Sequence, residues 1–189
     1  MQYLKLFLLP FSILYGIITG LRNFLYTIGV LRTFNIPKKS ICVGNLEVGG
    51  TGKTPHVAYI SNFLIQNYST TILSRGYGRK TKGYLEASIN STSSEIGDEP
   101  KLYKQLFKNQ VNVVVCEKRK TGVQNIKNNH PNNEVIILDD AFQHRAVKAG
   151  INILITDFNK PYYKNQMLPV GRLREWKTGR KRADIIIVS

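Results

Sequence analysis

The stretch VGNLEVGGTGKTPHVAYI, residues 43–60, decides the fold. It leaves a short apolar run, passes four glycines, reaches Gly52-Lys53-Thr54 and continues into a helical pattern. A strand, a glycine-rich loop and Lys-Thr at the start of a helix form the order of a P-loop. A strict P-loop has a glycine six residues before the lysine, and this chain has Glu47 there.

The loop predicts a site for the phosphates of a nucleotide. Backbone N–H groups and a helix N-terminus attract phosphate, the lysine reaches the β- and γ-phosphates, and the threonine binds Mg²⁺. The alternative is a glycine-rich turn with an accidental G-K-T, and the predicted strand and helix on either side favour the nucleotide. The residues assigned to this site are Gly49, Gly50, Thr51, Gly52, Lys53 and Thr54.

The rest of the chain alternates between strand and helix patterns. Short apolar runs rich in β-branched residues predict strands at 40–45, 70–75, 111–116, 134–140, 151–157 and 183–189. Helical patterns cover 53–67, 98–109 and 117–129, and the Gly- and Ser-rich segment 76–97 predicts a loop with room for a hairpin. This order predicts an α/β fold, a P-loop NTPase-like, mainly parallel sheet with helices on both faces.

Charged side chains follow several of the predicted strands. Asp139 and Asp140 end one strand, where a parallel sheet binds ligands, so they are candidate Mg²⁺ ligands with a helix N-cap as the alternative. Arg75 and Arg79 follow another strand and suit a phosphorylated substrate, unless they belong to a solvated basic loop. Taken alone, Asp98 is best explained as a helix N-cap.

Composition limits the partners. The net charge of +15 indicates an anionic partner, such as nucleic acid, a membrane surface or a phosphorylated substrate. The basic residues are not interleaved with aromatic residues as in a nucleic-acid module, so no nucleic acid is expected as a partner. Cys42 and Cys116 lie in apolar runs and are predicted to be buried free thiols.

The N-terminus is the most apolar part of the chain. Residues 6–21 carry no charge, but the run falls short of about 20 residues, the length that spans a bilayer, and Pro10 and Gly16 interrupt it. We expect a helix in the membrane interface, because apolar residues occupy nearly every face. A buried core helix and a signal peptide are the alternatives. Basic residues at Arg22, Arg32, Lys38 and Lys39 would face anionic head groups. The predicted domains are 1–36, the apolar helix region, and 37–189, the P-loop domain.

Five motifs occur together in one order: VGNLEVGGTGKTP, SRGYGR, GDEP, LDDAFQHR and LPVGRLRE. In this order and spacing the chain resembles the tetraacyldisaccharide 4′-kinase (lipid A 4′-kinase) family over nearly its whole length. The resemblance implies that Glu47 is a tolerated departure. Two smaller departures are Ala141, where many members have glycine, and Arg172, where proline is frequent.

The resemblance implies an activity and roles for residues. The enzyme would transfer the γ-phosphate of ATP, with Mg²⁺, to the 4′-hydroxyl of tetraacyldisaccharide 1-phosphate, a lipid A precursor, at the cytoplasmic face of the bacterial inner membrane. Asp98 would be the base toward the sugar hydroxyl and Lys53 the P-loop lysine, both catalytic. Substrate contacts would come from Arg75, Arg79, Gln143, His144, Arg174 and Glu175.

Other interpretations remain open. A membrane-associated P-loop ATPase acting as a switch or delivery factor would share the P-loop and the acidic strand end. The last predicted strand ends the chain, which suggests the N-terminal part of a longer protein. In the family the missing part contributes a histidine to the base, and no histidine here matches it, so we expect weak or no turnover by this chain alone.

Overall fold

A parallel sheet forms the centre of the molecule. The computed structural model describes residues 2–36 and 39–189. Seven strands follow the order β4-β5-β3-β6-β2-β8-β9, and all neighbours run parallel except β4 and β5. These strands are β2 (Lys39–Gly44), β3 (Thr70–Ser74), β4 (Leu85–Glu86), β5 (Asn112–Val115), β6 (Val135–Asp139), β8 (Ile151–Thr156) and β9 (Ile185–Val188). The predicted mainly parallel sheet is confirmed.

The helices are α1 (Gln2–Thr27), α2 (Lys53–Leu64), α3 (Ser93–Ile96), α4 (Asp98–Phe107) and α5 (Arg119–Asn129), with 3₁₀ turns at Tyr162–Lys164 and Lys177–Arg182. Helices α2, α4 and α5 lie at the positions that the sequence predicts and are shorter by a few residues, whereas α3 lies in the segment 76–97 that was predicted to be a loop. The loop 76–97 contains no hairpin, so that expectation was wrong: its strand β4 pairs with β5 instead.

Alternate residues of the same strands enter two cores. On one face Ile72 and Ile137 pack with Tyr103 of α4 and Val57 of α2. On the other face the next residues along those strands, such as Leu73, join a core that includes α5. Side chains alternate across a strand, so an all-apolar strand needs a cover on each face. Helices on both faces are therefore confirmed.

Helix α1 lies at the edge of these cores: Tyr15 packs against one of them and Ser12 donates to Met167 O, but most of the large apolar side chains of α1 are exposed. The helix continues through Pro10, which the sequence analysis treated as an interruption, and its 26 residues measure about 39 Å. Residues Lys5–Thr27 are long and apolar enough to cross a membrane, and only 11% of the most apolar window is buried. The exposure excludes the buried-core-helix alternative. Lys38, one of the basic residues assigned to head groups, lies outside the described residues, as does Pro37 at the predicted domain boundary.

A small feature escaped the sequence analysis. Strand β1 (Phe34–Asn35) pairs in parallel with β7 (Val147–Lys148) in a separate two-stranded sheet. Ile36 follows β1 into the core. The chain that leaves α1 is thereby fixed to the P-loop domain before β2 begins. Both cysteines are buried and free, as predicted.

Candidate active site

The phosphate loop joins the end of β2 to the start of α2. Gly49 and Gly52 have φ of 102° and 79°, values that glycine tolerates and other residues rarely adopt. A Cβ on Gly50 would meet nothing within 4 Å, so backbone is open to a ligand there. Lys53 begins α2, where the helix dipole and the free N–H groups add positive potential. The loop therefore has the shape of a phosphate cradle.

Glu47 holds the first half of this loop in place. Its carboxylate is 1% exposed and accepts a hydrogen bond from Asn165 Nδ2. Its backbone bridges to Leu173, and on either side Val48 N–H donates to Arg172 O (2.8 Å) while Arg174 N–H donates to Leu46 O (2.8 Å). The position thus belongs to a short strand-like pairing, which explains why the chain tolerates a residue other than glycine there.

Asn45 joins the two ends of the loop. Its Nδ2 donates to Thr51 Oγ1 at 2.8 Å, and its Oδ1 accepts from Arg174. Asn45 is completely buried. The sequence analysis missed it, because an asparagine beside a glycine-rich loop carries no signal of its own.

Two adjacent carboxylates end β6 in contrasting surroundings. Burial alone would raise the pKa of Asp140, but hydrogen bonds from Arg174 (2.9 and 3.3 Å) and the charges of Arg174 and Lys53 lower it below its ordinary value. Lys53 Nζ lies 3.7 Å from Asp140 Oδ1. Burial, with Glu99 and Asp140 nearby, raises the pKa of Asp139 to about 7.

Ser74 and Tyr103 lie close enough to interact with the Asp139 carboxylate, but among the described residues neither of its oxygens makes a hydrogen bond of good geometry. A buried carboxylate with so few partners is costly, and a cation would satisfy it. The chain turns after β6 and the next element is β7, so neither aspartate caps a helix. The metal interpretation therefore keeps its geometric support at Asp139, whereas Asp140 is already paired with two cations.

Arg119 closes the floor beneath the aspartates. It is 2% exposed and donates to Cys116 O (2.7 Å) and to Asp139 O (3.1 Å). A buried arginine needs partners for its charge, and the acidic strand end supplies them. Its sequence position in a helical pattern gave no sign of this burial.

Lys53, Arg119 and Asp140 line one cavity of about 750 Å³. The fully buried Asp139 does not line it, and Thr54 lines a neighbouring pocket. Asp98 and Glu99 enter the cavity from the first turn of α4. The N-cap of α4 is Gly97 and Asp98 is the first residue inside the helix, so Asp98 is not the N-cap. The other lining residues of the cavity include Arg22, Gly49, Ser74, Arg75, Tyr77, Gln143, His144 and Arg174.

The predicted substrate residues divide into two groups. The cavity receives Arg75, Gln143, His144 and Arg174. Burial, followed by the charges of three arginines, lowers the pKa of His144 to about 4, which keeps its ring neutral. The other two predicted residues, Arg79 and Glu175, do not line the cavity.

Arg79 and Glu175 instead make internal contacts. Arg79 donates to Glu117 (2.6 Å) and to Gly83 O (2.5 Å). Glu175 is 2% exposed and accepts two hydrogen bonds from Arg182, at 2.7 and 2.8 Å. Glu175 therefore lies behind the cavity, bonded to the lining residue Gln143, whereas Arg79 is paired outside it.

Glu99 and Arg22 also line the cavity: Glu99 was not predicted as a site residue, and Arg22 was expected to face head groups but donates to Gln143 O instead (3.2 Å). Glu99 Oε1 accepts from Thr54 Oγ1 at 3.1 Å. Its position beside Asp98 in the first turn of a predicted helix was a usable signal. Arg22 comes from α1, and no local pattern could place a residue of that helix against a cavity built around β2 and β6.

Comparison with known proteins identifies the family. The family model described as tetraacyldisaccharide-1-P 4'-kinase matches residues 4–189. The chain belongs to this family. A tetraacyldisaccharide 4'-kinase from Cytophaga hutchinsonii is 46% identical over 189 residues, which are 100% of this chain and 54% of that protein. One from Parabacteroides distasonis is 50% identical over 186 residues, covering 96% of this chain and 50% of that protein.

A solved structure agrees with the fold of this kinase-family chain. The crystal structure of LpxK from Aquifex aeolicus in complex with ATP superimposes with a TM-score of 0.91 at 41% identity. The match covers 98% of this chain and 59% of that one. The chain spans about half the length of the curated relatives it matches.

Proposed function

We propose that the protein transfers the γ-phosphate of ATP to the 4′-hydroxyl of a tetraacyldisaccharide 1-phosphate in lipid A biosynthesis. The observation that carries this proposal is that residues of the phosphate loop and an exposed carboxylate from another helix line the same cavity. Gly49 and Lys53 are the loop residues, and Asp98 supplies the carboxylate. Family membership supports the same reaction.

The loop fits the triphosphate of ATP. The backbone at Gly50 is open to a ligand, and Gly49 and Gly52 have positive φ. The free N–H groups at the start of α2, beside Lys53, favour an anion. Lys53 Nζ lies 3.7 Å from Asp140 Oδ1, and both residues line the cavity, so the ammonium group is within reach of a bound phosphate. The aligned structure of the Aquifex aeolicus protein was solved with ATP, which supports ATP as the donor.

The residues present also fit Mg²⁺. The buried carboxylate oxygens of Asp139 and the hydroxyl of Thr54 are the kind of oxygen ligand that this ion prefers. Mg²⁺, when bound, would neutralise charge on the β- and γ-phosphates. Asp140, the third predicted ligand, contributes instead by holding Lys53 and Arg174 in place.

Asp98 is proposed as the base toward the acceptor. Its carboxylate is exposed in the cavity and has the freedom to meet a sugar hydroxyl. It would accept the hydroxyl proton while that oxygen bonds to the γ-phosphorus, the bond to the bridging oxygen breaks, and ADP leaves. Arg75 and Arg174 add positive charge where negative charge develops.

Helix α1 is proposed to bring the enzyme to its lipid. Large apolar side chains such as Phe7, Leu14 and Ile18 are 55% to 68% exposed. A lipid acceptor stays in its bilayer, so the protein must bind there, at an anionic cytoplasmic surface of the inner membrane. The division into a helix region, 1–36, and a P-loop domain, 37–189, fits these two tasks.

The test uses the full-length protein that contains this chain. We expect labelled phosphate to move from γ-labelled ATP to tetraacyldisaccharide 1-phosphate in detergent micelles, and Asp98→Ala to abolish the labelled lipid. Ser91→Ala, a loop change outside the cavity, is the matched control. ATP hydrolysis without a labelled lipid would support the ATPase switch instead.

A further inference from the structure

Helix α1 is hydrogen-bonded to the phosphate loop through a short series of side chains. Asn23 Nδ2 of α1 donates to Glu175 Oε2 at 2.8 Å. Gln143 Nε2 donates to Glu175 Oε1 (3.2 Å) and to Asn45 O (2.5 Å). Asn45 in turn bonds to Thr51 inside the loop. Four contacts thus connect a helix with an exposed apolar face to the phosphate cradle.

The middle of this series is fixed by burial and charge. The Glu175 side chain is 3% exposed, and Arg182 donates to both of its oxygens. An added Cβ on Gly179 would lie 2.7 Å from Glu175 Oε2, so the carboxylate has little room to move. Because this buried, ion-paired carboxylate has little room to move, a shift of one of its partners shifts the other.

Helix α1 is seated beside the same carboxylate. Trp176 Nε1 donates to Gly16 O at 2.7 Å, and Tyr15 donates to Arg174 O at 3.0 Å. The two backbone bonds between Leu46–Val48 and Arg172–Arg174 then bring that segment to the phosphate loop. Asn23 therefore lies on a helix that is joined to the surroundings of the site by direct hydrogen bonds.

We propose that Asn23 is a positioning residue for the nucleotide site: through Glu175 it orients Gln143, which holds the Asn45 carbonyl and so the phosphate loop. This inference rests on the proposed function. It says that the phosphate loop takes its binding shape only when the membrane helix is seated against the P-loop domain. Asn23 does not line the cavity. Its loss weakens ATP binding more than it slows transfer at saturating ATP.

The test measures ATP affinity and transfer in the full-length protein. Asn23→Ala is expected to raise the KM and Kd for ATP about three- to tenfold, the effect of one buried hydrogen bond, with a smaller change in kcat. Thr19→Ala is the matched control, because the Thr19 hydroxyl bonds only to carbonyls of its own helix among the described residues. Equal ATP constants for both variants would overturn the proposal.

A double variant separates positioning from general weakening. Gln143→Ala removes the contact with Asn45, so adding Asn23→Ala should weaken ATP binding no further. Additive losses would contradict the series. If Asn23→Ala does not fold, Asn23→Asp replaces it: it keeps the shape, places a second carboxylate beside Glu175 and should weaken ATP binding more. If wild type binds ATP but transfers nothing to lipid, the proposed function fails, and the Kd comparison still decides the role of Asn23.

Discussion

At the scale of single residues, the loop proposed to bind phosphate is held in place by buried side chains such as Asn45 and Glu47. A lysine and a threonine after a glycine-rich loop have a fixed spacing, so Lys53 and Thr54 could be placed in advance. Arg79 and Glu175 carry the same charges as cavity residues, but their partners Glu117 and Arg182 decide where they point. Such pairings depend on the folded chain and leave no trace in local spacing.

Glu47 provides a test at this scale. Glu47→Gly would restore the strict P-loop pattern, yet we expect it to lower the free energy of unfolding by about 1–3 kcal/mol, because it deletes a buried hydrogen bond and adds backbone freedom. Glu47→Gln, which keeps the shape and an acceptor for Asn165, should cost less. Urea unfolding measures the free energy of unfolding of both variants. A glycine variant as stable as wild type would show that Glu47 is not an anchor.

His144 should make stability depend on pH. Its pKa falls from 6.5 to about 4 on folding, because burial and then the charges of Arg119, Arg22 and Arg75 oppose protonation. Between these values the unfolded chain binds a proton that the folded chain does not, so stability falls as the pH is lowered from about 6.5 toward 4. His144→Gln removes this contribution. Urea unfolding across the range should show a flatter curve for the variant, and identical slopes would refute the assignment.

At the scale of elements, periodicity predicted the strands well and the contacts of α1 poorly. The apolar runs 136–138 and 113–115 are stable as strands that are covered on both faces, so their structure could be inferred. Helix α1 was correctly expected to be exposed. Its seat against Trp176 and the pairing of β1 with β7 join residues more than a hundred positions apart, which no local pattern encodes.

The seat of α1 can be broken at Gly16. A Cβ there would lie 2.6 Å from the Trp176 ring, so Gly16→Val should displace the helix, at a cost of about 1–3 kcal/mol. Fluorescence of Trp176 should shift to longer wavelength as the indole gains solvent. Ile17→Ala is the control, because Ile17 is 58% exposed. An unchanged emission spectrum in Gly16→Val would contradict the described seat.

At the scale of the whole molecule, charge and apolar surface act together. The net charge is +15, and α1 exposes apolar side chains along most of its length. We expect binding to vesicles with anionic lipids at low salt and a marked loss as salt shortens the Debye length from about 30 Å at 0.01 M to about 8 Å at 0.15 M. Flotation measures this. Equal binding to zwitterionic and anionic vesicles at low salt would show that electrostatic attraction does not contribute to membrane binding.

The most direct test of the account separates the two parts of the cavity. It compares Lys53→Ala with Asp98→Asn in the full-length protein, by ATP affinity and by single-turnover transfer to tetraacyldisaccharide 1-phosphate. Lys53→Ala should lose ATP affinity and transfer together, because the lysine meets the phosphates. Asp98→Asn should bind ATP as wild type does and transfer phosphate about 10²- to 10⁴-fold more slowly, as expected for loss of a base. Transfer at the wild-type rate by Asp98→Asn would contradict the proposed catalytic site.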